Sequence, residues 1–157
     1  MKISFDWLNQ MLPLQSSIEE ASAVLTATGL EVEGIESVEA VPGGLRGLVV
    51  GKITSATQHP NADRLQVCEV NIGEADPLQI VCGAGNARAG LTVVVATVGA
   101  TLHPLEGDPF KIKKGKIRGE VSMGMICAED EIGIGQSHDG IIELEEKWKE
   151  GTDAAEV

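Results

Sequence analysis

Apolar residues in the first thirty positions recur at helical spacing and predict two helices. The first helix begins near Phe5, and Pro13 ends it because the residue before a proline is pushed out of the helical conformation. Ser17 and Glu20 have the spacing of a capping box, in which each side chain bonds the backbone N–H of the other residue. Gly29 is predicted to end the second helix in the left-handed conformation.

Two strands are predicted to flank these helices. Met1–Ser4 is predicted as a short edge strand, and apolar and acidic residues alternate from Leu30 to Val38, which is typical of a half-buried strand. Residues 1–40 are therefore expected to form an α+β piece that is too small to bury a core alone. The run Pro42-Gly43-Gly44 marks a boundary, after which the pattern changes.

Beyond this boundary apolar residues alternate with a period of two, which predicts a mainly β fold. Glycines separate the alternating runs, and Gly115 inside the last long run predicts a bulge or a tight bend. About five strands in roughly 85 residues is the size of an OB-fold, a partly open five-stranded barrel. The predicted strands are 48–57, 65–72, 78–82, 93–98 and 110–117, with one more at 141–144.

The charge of the chain is unevenly distributed. The formal net charge of −12 over 157 residues argues at first against a nucleic-acid partner. Residues 43–126, however, contain nine Lys or Arg and seven Asp or Glu, whereas the remainder contains three and seventeen. The middle of the chain is therefore mildly basic, and the acidic residues are concentrated in its flanks.

Cellular location is predicted from the termini and the cysteines. No apolar run approaches the ~18 residues of a membrane span, and residues 1–12 lack the apolar stretch of a signal peptide. The three cysteines are isolated, so we expect reduced thiols, and Cys82 and Cys127, which lie in apolar runs, are expected to be buried as small apolar side chains. These features predict a cytoplasmic protein with no membrane partner.

The strongest candidate for a binding function is a run of cations near residue 115. On one strand, several of these ammonium groups would face the same way and form an electrostatic track for a phosphate backbone. The alternative is a solvated edge strand whose charges prevent aggregation. The run consists of Lys111, Lys113, Lys114, Lys116 and Arg118.

Other motifs favour structural interpretations over catalysis. The loop His59–Leu65 is rich in turn-forming residues, which favours a structural role for His59 over that of a catalytic base. The glycine-rich run Cys82–Asn86 lacks the second half of a phosphate-loop motif. Histidines and cysteines are scattered singly, and Glu129-Asp130-Glu131 lacks the spacing of a calcium loop. We therefore predict no catalytic residue and no metal site.

Five runs in series resemble one RNA-binding family. This is the tRNA-binding OB-fold found at the end of methionyl-tRNA synthetases, in free-standing tRNA-binding proteins, in endothelial monocyte-activating polypeptides and in the β subunit of bacterial-type phenylalanyl-tRNA synthetases. The resemblance covers about residues 48–135. Its runs are Val50–Ile53, His59–Leu65, Ile80–Asn86, Lys113–Gly119 and Ser122–Glu131.

The N-terminal flank distinguishes among these members. Met1–Leu8 and Thr28–Glu36 resemble the start of the phenylalanyl-tRNA synthetase β subunit. The resemblance implies an N-terminal fragment of a longer subunit, with a five-stranded OB-fold barrel inserted into a small, incomplete α+β domain. The implied domains are residues 1–40 as the first part of the split domain, 41–148 as the barrel, and 149–157 as the start of the return.

The same resemblance implies partners and site residues. The expected partners are tRNA and a catalytic α subunit in a heterotetramer, and the parent ligase is expected to use ATP and magnesium, with no cofactor in this fragment. A stand-alone tRNA-binding protein and a structural or protein-interaction module of the synthetase remain alternatives. The positions implied to face RNA are Lys52, Arg64, Asn86, Lys113, Lys114, Lys116, Arg118, Ser122 and Met125.

Overall fold

A computed structural model describes residues 1–39 and 41–157 of the chain. These residues divide into two compact units, Met1–Val38 and Glu39–Val157, and each is described by itself. The domain boundary was predicted after residue 40, which is itself the one residue outside the described ranges.

The first unit contains both predicted helices, α1 (Phe5–Met11) and α2 (Ile18–Ala27). The capping box is confirmed, because the Ser17 hydroxyl accepts the Glu20 N–H at 3.2 Å and the Glu20 carboxylate accepts the Ser17 N–H at 2.9 Å. Gly29 ends α2 with φ 95°, as predicted. At this helix end the N–H groups of Gly29 and Leu30 donate to the carbonyls of Thr26 and Leu25. These carbonyls would otherwise lack a partner.

The two strands predicted for this unit are wrong. Neither Met1–Ser4 nor the segment from Leu30 to Val38 belongs to a strand among the described residues. A strand needs a hydrogen-bonded neighbour, and these segments are joined instead by side chains, through the Lys2–Glu36 ion pair at 2.6 Å. Only Ala21 is buried within the described part of this unit, so alternation in the sequence did not correspond to a buried face.

The second unit is built from ten strands, most of them short. They are β1 (Leu48–Gln58), β2 (Gln66–Asn71), β3 (Leu78–Cys82), β4 (Thr92–Thr97), β5 (Thr101–Leu102), β6 (Phe110–Lys111), β7 (Gly115–Ile117), β8 (Glu120–Ser122), β9 (Gly124–Ile126) and β10 (Glu143–Leu144). Short 3₁₀ turns lie at Pro42–Leu45, Asp130–Ile132 and Ala154–Glu156.

Five antiparallel segments form a nearly closed barrel, which confirms the predicted mainly β fold. β1, β2 and β3 follow one another, β4 pairs with the free edge of β1, and β9 pairs with β4. The gap between β3 and the β8–β9 segment is bridged by the Met123 N–H, which donates to the Gln79 carbonyl at 2.8 Å. The predicted strands in β1 to β4 agree with the observed ones to within one residue at most ends.

Strand β1 forms hydrogen bonds with two neighbouring strands. Its first half pairs with β4 and its second half with β2, and the register shifts between Ile53 and Ser55. Such an irregularity bends a strand and increases its twist, which barrel closure requires. Gly51 lies at the crowded centre of the strand, where an added Cβ would be 2.7 Å from Val95 Cγ2 and 2.8 Å from Val70 Cγ1.

Strand β4 separates two hydrophobic cores, and its predicted burial on both faces is confirmed. Val93 and Val95 point into the barrel, whereas Val94 and Ala96 point into a second cluster outside it. The barrel core also contains Ile53, Cys68, Val70, Ile80, Cys82 and Ile126, and the second cluster contains Leu48, Leu102, Ile112, Cys127, Ile132 and Ala154.

The continuous strand predicted over 110–117 is wrong, because the segment changes partner within this stretch. β6 pairs with β5, and the Ile112 N–H and carbonyl then bond Ala100 and Gly99 at 2.8 and 2.9 Å. The Ile112 side chain is buried in the second cluster, while Phe110, predicted on the same face, is 41% exposed. From Gly115 the chain pairs with β8 instead.

The polar C-terminal residues pack onto β1. The Val50 N–H donates to the Thr152 carbonyl and the Gly151 N–H to the Val50 carbonyl, both at 2.8 Å. Ala154 is buried in the second cluster. The assignment of residues 149–157 to the return into a split domain stays a prediction.

We expect the three thiols, which are all free and buried, to resist modification in the folded protein. Burial raises the pKa of the Cys68 thiol to about 11 and that of the Cys127 thiol to about 12, and it also raises the pKa of Cys82. Since the thiolate is the reactive form, labelling with a disulfide reagent at mildly alkaline pH will be slow until denaturant is added. Fast labelling of the folded chain would contradict this arrangement.

Candidate nucleic-acid interface

The cations of residues 111–118, here called the basic segment, are exposed and free. Lys111, Lys113, Lys114, Lys116 and Arg118 have exposed side chains, and none of them forms an ion pair within the described residues. Several basic residues elsewhere are paired with carboxylates. The pairs in the barrel unit are Arg46–Glu39, Arg88–Glu143 and Lys147–Glu145. The basic segment therefore keeps its positive charge available to a partner.

Part of the basic segment forms a tight β-hairpin. β7 and β8 pair over three residues, and the two-residue loop Arg118-Gly119 has φ values of 48° and 108°. Positive φ at both loop positions is the geometry that matches the twist of two antiparallel strands. Glycine adopts it freely, whereas Arg118 adopts an uncommon conformation for a side chain of its size.

The loop between β1 and β2 contacts this hairpin. The side chain of His59 is 2% exposed, and its Nε2 lies 3.0 Å from the Ile117 carbonyl oxygen. The side-chain amide of Asn61 donates to the Arg118 carbonyl at 3.2 Å. The structural interpretation of His59 is therefore supported, because both ring nitrogens have partners inside the protein.

Two predicted site residues lie outside the basic segment. Arg64 is exposed on the loop that contacts the hairpin, so it belongs to the same region. Lys52 is half-buried in the middle of β1, where it is paired with Asn71 of β2 and Thr92 of β4. Their contact with RNA stays a prediction.

The side chain of Asn86 joins two loops of the fold. Its amide donates to the Ile141 carbonyl and to the Glu143 carboxylate, and its carbonyl accepts the Ile141 N–H, all at 3.0 Å. Arg88 makes a two-pronged contact with Glu143 at 3.0 and 2.9 Å. Hydrogen bonds from Arg88 and Asn86 lower the pKa of the Glu143 carboxyl, which therefore stays ionised.

Ser122 and Met125 also have internal roles. Ser122 is 5% exposed, and its hydroxyl accepts the Val81 N–H at 3.1 Å and donates to the Gly124 carbonyl at 3.0 Å. Met125 is half-buried and packs against the second cluster. The structure therefore assigns Asn86, Ser122 and Met125 work within the fold, and their contact with RNA stays a prediction.

Across residues 1–39 and 41–157, no group of three or more His, Cys, Asp or Glu is arranged to hold a metal ion. No helix in these ranges is both long enough and apolar enough to span a membrane.

A nearly closed β-barrel with an exposed, unpaired basic hairpin defines the class of small nucleic-acid-binding barrels. The chain belongs to the family described as "Putative tRNA binding domain", whose model matches residues 48–153. The resemblance stated from the sequence motifs is thereby confirmed.

Curated relatives are similar over nearly the whole chain. Phenylalanine–tRNA ligase β subunits are 52% identical over 153 residues in Bacteroides fragilis and 51% over 156 residues in Porphyromonas gingivalis. These alignments cover 97% and 99% of this chain but only 18% and 19% of the relatives. The chain thus spans about a fifth of the length of these ligase subunits, and its similarity includes both units.

Two solved structures resemble the fold more distantly. A MetRS related protein from Pyrococcus horikoshii matches 67% of this chain and 85% of its own, with 18% identity and a TM-score of 0.48. The C-terminal domain of Plasmodium vivax p43 matches 66% of this chain and 56% of its own, with 20% identity and the same TM-score. These scores are too low to establish a shared fold.

We expect Ser122→Ala to destabilise the barrel by about 1–3 kcal/mol, because it removes the buried Ser122 hydroxyl and leaves the half-buried Val81 N–H without this acceptor. Chemical denaturation of the variant and the parent protein measures this difference. Ser55→Ala is the matched control, since the Ser55 hydroxyl contacts only the carboxylate of Glu69 near the surface. Equal losses in the two variants would show that Ser122 does not close the barrel.

Proposed function

We propose that this chain is the tRNA-binding module of a phenylalanine–tRNA ligase β subunit and that it holds tRNA by phosphate and shape contacts. The observation that carries the proposal is the basic segment, whose five cations have no ion-pair partner among the described residues. Cations that neutralise phosphates release counterions from the nucleic acid, and this release drives binding without reading the base sequence.

The overall acidity of the chain is compatible with this function. At physiological ionic strength, interactions between exposed charges are largely screened beyond about 8–10 Å. A phosphate in contact with Lys113, Lys114 or Lys116 therefore experiences mainly the cations around it. Acidic residues farther than this from the basic segment affect the approach of RNA far less than the net charge of −12 implies.

The shortage of aromatic side chains favours recognition of a folded tRNA over reading of unpaired bases. Aromatic residues make up 3% of the chain, and Phe110 is the exposed one in the basic region. Proteins that bind single strands present several aromatic rings on which successive bases stack. A basic hairpin without such a series suits the regular phosphates and the shape of helical RNA.

The parent enzyme extends the proposal beyond this chain. The named relatives are ligase β subunits, and their similarity covers the helical unit as well as the barrel, which favours the synthetase over a stand-alone tRNA-binding protein. We place catalysis, with its ATP and magnesium, elsewhere in a cytoplasmic enzyme that also contains an α subunit, in a heterotetramer. This fragment then contributes affinity for tRNA.

One alternative has specific support. The predicted RNA-facing residues Asn86 and Ser122 bond within the fold, and the chain is acidic overall. A structural or protein-interaction module of the synthetase would need no more than this. Its exposed lysines would then only keep an edge from aggregating.

Binding of tRNA measured at several salt concentrations distinguishes these functions. We expect the chain to bind at low salt and to lose affinity as salt rises, with a log–log slope of about −0.7 to −0.9 per phosphate contact. Lys113→Ala/Lys114→Ala/Lys116→Ala should weaken binding and make the slope shallower by about 0.7–0.9 for each lysine in contact.

The matched control removes the same charge elsewhere. Lys2→Ala/Lys147→Ala/Lys149→Ala replaces the three basic residues outside residues 43–126, and it should leave the slope unchanged. Equal effects of the two triple variants would show that only net charge matters. Absence of binding at low salt would favour the structural module.

A further inference from the structure

The hairpin that carries Lys116 and Arg118 has few means of holding its own shape. Its two strands have three residues each, and Gly115–Ile117 are all exposed. A two-stranded hairpin is at best marginally stable in water without a hydrophobic face. Repulsion among the neighbouring cations opposes the folded form further. Contacts from elsewhere in the barrel must therefore keep this hairpin in place.

His59 supplies one such contact and is itself held in a defined orientation. Its Nδ1 lies 3.0 Å from the Asn61 N–H, and a backbone N–H can only donate. Nδ1 is therefore the acceptor, which leaves the proton on Nε2 in the neutral ring. Nε2 then donates to the Ile117 carbonyl at 3.0 Å. One buried ring thus joins the β1–β2 loop to the end of β7.

Asn61 supplies a second contact at the next residue of the hairpin. Its side-chain nitrogen donates to the Arg118 carbonyl, and it lies 3.5 Å from the position that a Cβ on Gly119 would occupy. Two consecutive carbonyls of the hairpin tip, those of Ile117 and Arg118, are therefore bound by one loop. The two bonds determine both the position and the rotation of the tip, which a single bond would not.

The opposite strand of the hairpin is anchored separately. The side-chain amide of Gln79 on β3 donates to the Val121 carbonyl at 2.9 Å. With β8 attached to the barrel in this way, the loop contacts have a specific task, which is to fix the β7 strand and the tip that carry the cations.

We propose that His59 and Asn61 are positioning residues for RNA binding, which hold the tip of the β7–β8 hairpin so that Lys116 and Arg118 meet phosphates without first being ordered. The proposal rests on the proposed function and deepens it. Ordering a mobile loop during binding lowers affinity, and fixing it beforehand removes that loss.

Two substitutions at position 59 separate the two bonds of the ring. His59→Gln keeps a donor long enough to reach the Ile117 carbonyl, whereas His59→Asn keeps an acceptor near the Asn61 N–H and is too short to reach the hairpin. Asn61→Ala removes the second contact at an exposed position. Gln58→Ala is the matched control, because the Gln58 amide bonds the Ala62 and Leu65 carbonyls of the same loop and makes no hydrogen bond to the hairpin.

The test has two measurements on the full chain, at a temperature where every variant is folded. Hydrogen exchange of the β7–β8 amides reports the order of the hairpin, and tRNA binding at low salt reports its consequence. We expect His59→Asn and Asn61→Ala to speed exchange in this hairpin selectively and to weaken tRNA binding about fivefold, as for loss of one hydrogen bond. His59→Gln should restore much of both, and Gln58→Ala should change neither.

The outcomes distinguish failure of the positioning role from failure of the proposed function. If the lysine triple variant loses affinity while His59→Asn and Asn61→Ala bind as Gln58→Ala does, the positioning role is wrong and tRNA binding stands. If the parent protein binds no tRNA, the proposed function is wrong and the positioning role in binding falls with it. If hydrogen exchange in the β7–β8 hairpin is unchanged in Asn61→Ala and His59→Asn, the positioning role is wrong whether or not RNA binds. If His59→Asn does not fold, Asn61→Ala alone provides this test.

Discussion

Closure of a small barrel requires strands that bend while they bond neighbours on both edges, and in this protein the long strand β1 bends at a register shift. Its eleven residues pair with β4 from Leu48 to Lys52 and with β2 from Lys52 to Gln58, and the pairing with β2 shifts register between Ile53 and Ser55. Gly51 lies just before this shift, and its missing side chain leaves room in the core for Val70 and Val95. The other strands of the barrel lie on either side of this bent strand, with β4 and β9 on one side and β2 and β3 on the other.

The position of the basic segment depends on the second core outside the barrel. Ile112 is buried in that core, and the chain on either side of it pairs with different strands. Lys113 and Lys114 cross between the two small sheets with exposed side chains, and the β7–β8 hairpin begins just after them. The cations are thus gathered on a surface feature that is attached to the barrel at several points while its own strands remain short. Charge and anchoring come from different parts of the sequence.

The sequence was sufficient where local rules decide the structure. The Ser17 capping box, the left-handed Gly29 and the fully buried run of β4 depend on neighbouring residues and were predicted correctly. Prediction failed where a distant partner decides. The alternating segment from Leu30 to Val38 has no neighbouring strand among the described residues of its unit. The run from Phe110 to Ile117 changes its pairing partner at a point that the periodicity of the sequence does not reveal.

The same limit explains what was missed at the site. The exposed cations could be found from their spacing, but the contacts of His59 and Asn61 with the hairpin span 58 and 57 residues and have no local signal. Asn86 and Ser122 were assigned to RNA because they stand in family motifs, and the structure shows bonds within the fold for both. A motif marks a residue as needed without saying whether the ligand or the fold needs it.

The bridge between Val49 and Asp153 brings together the points at which the chain joins and leaves the barrel. If the module is inserted in a longer polypeptide, two neighbouring backbone positions suffice to connect it. Such a module can be transferred between polypeptides as a unit, with little demand on the shape of the loop that receives it. The backbone bonds of Val50 with Gly151 and Thr152 then hold these two positions together.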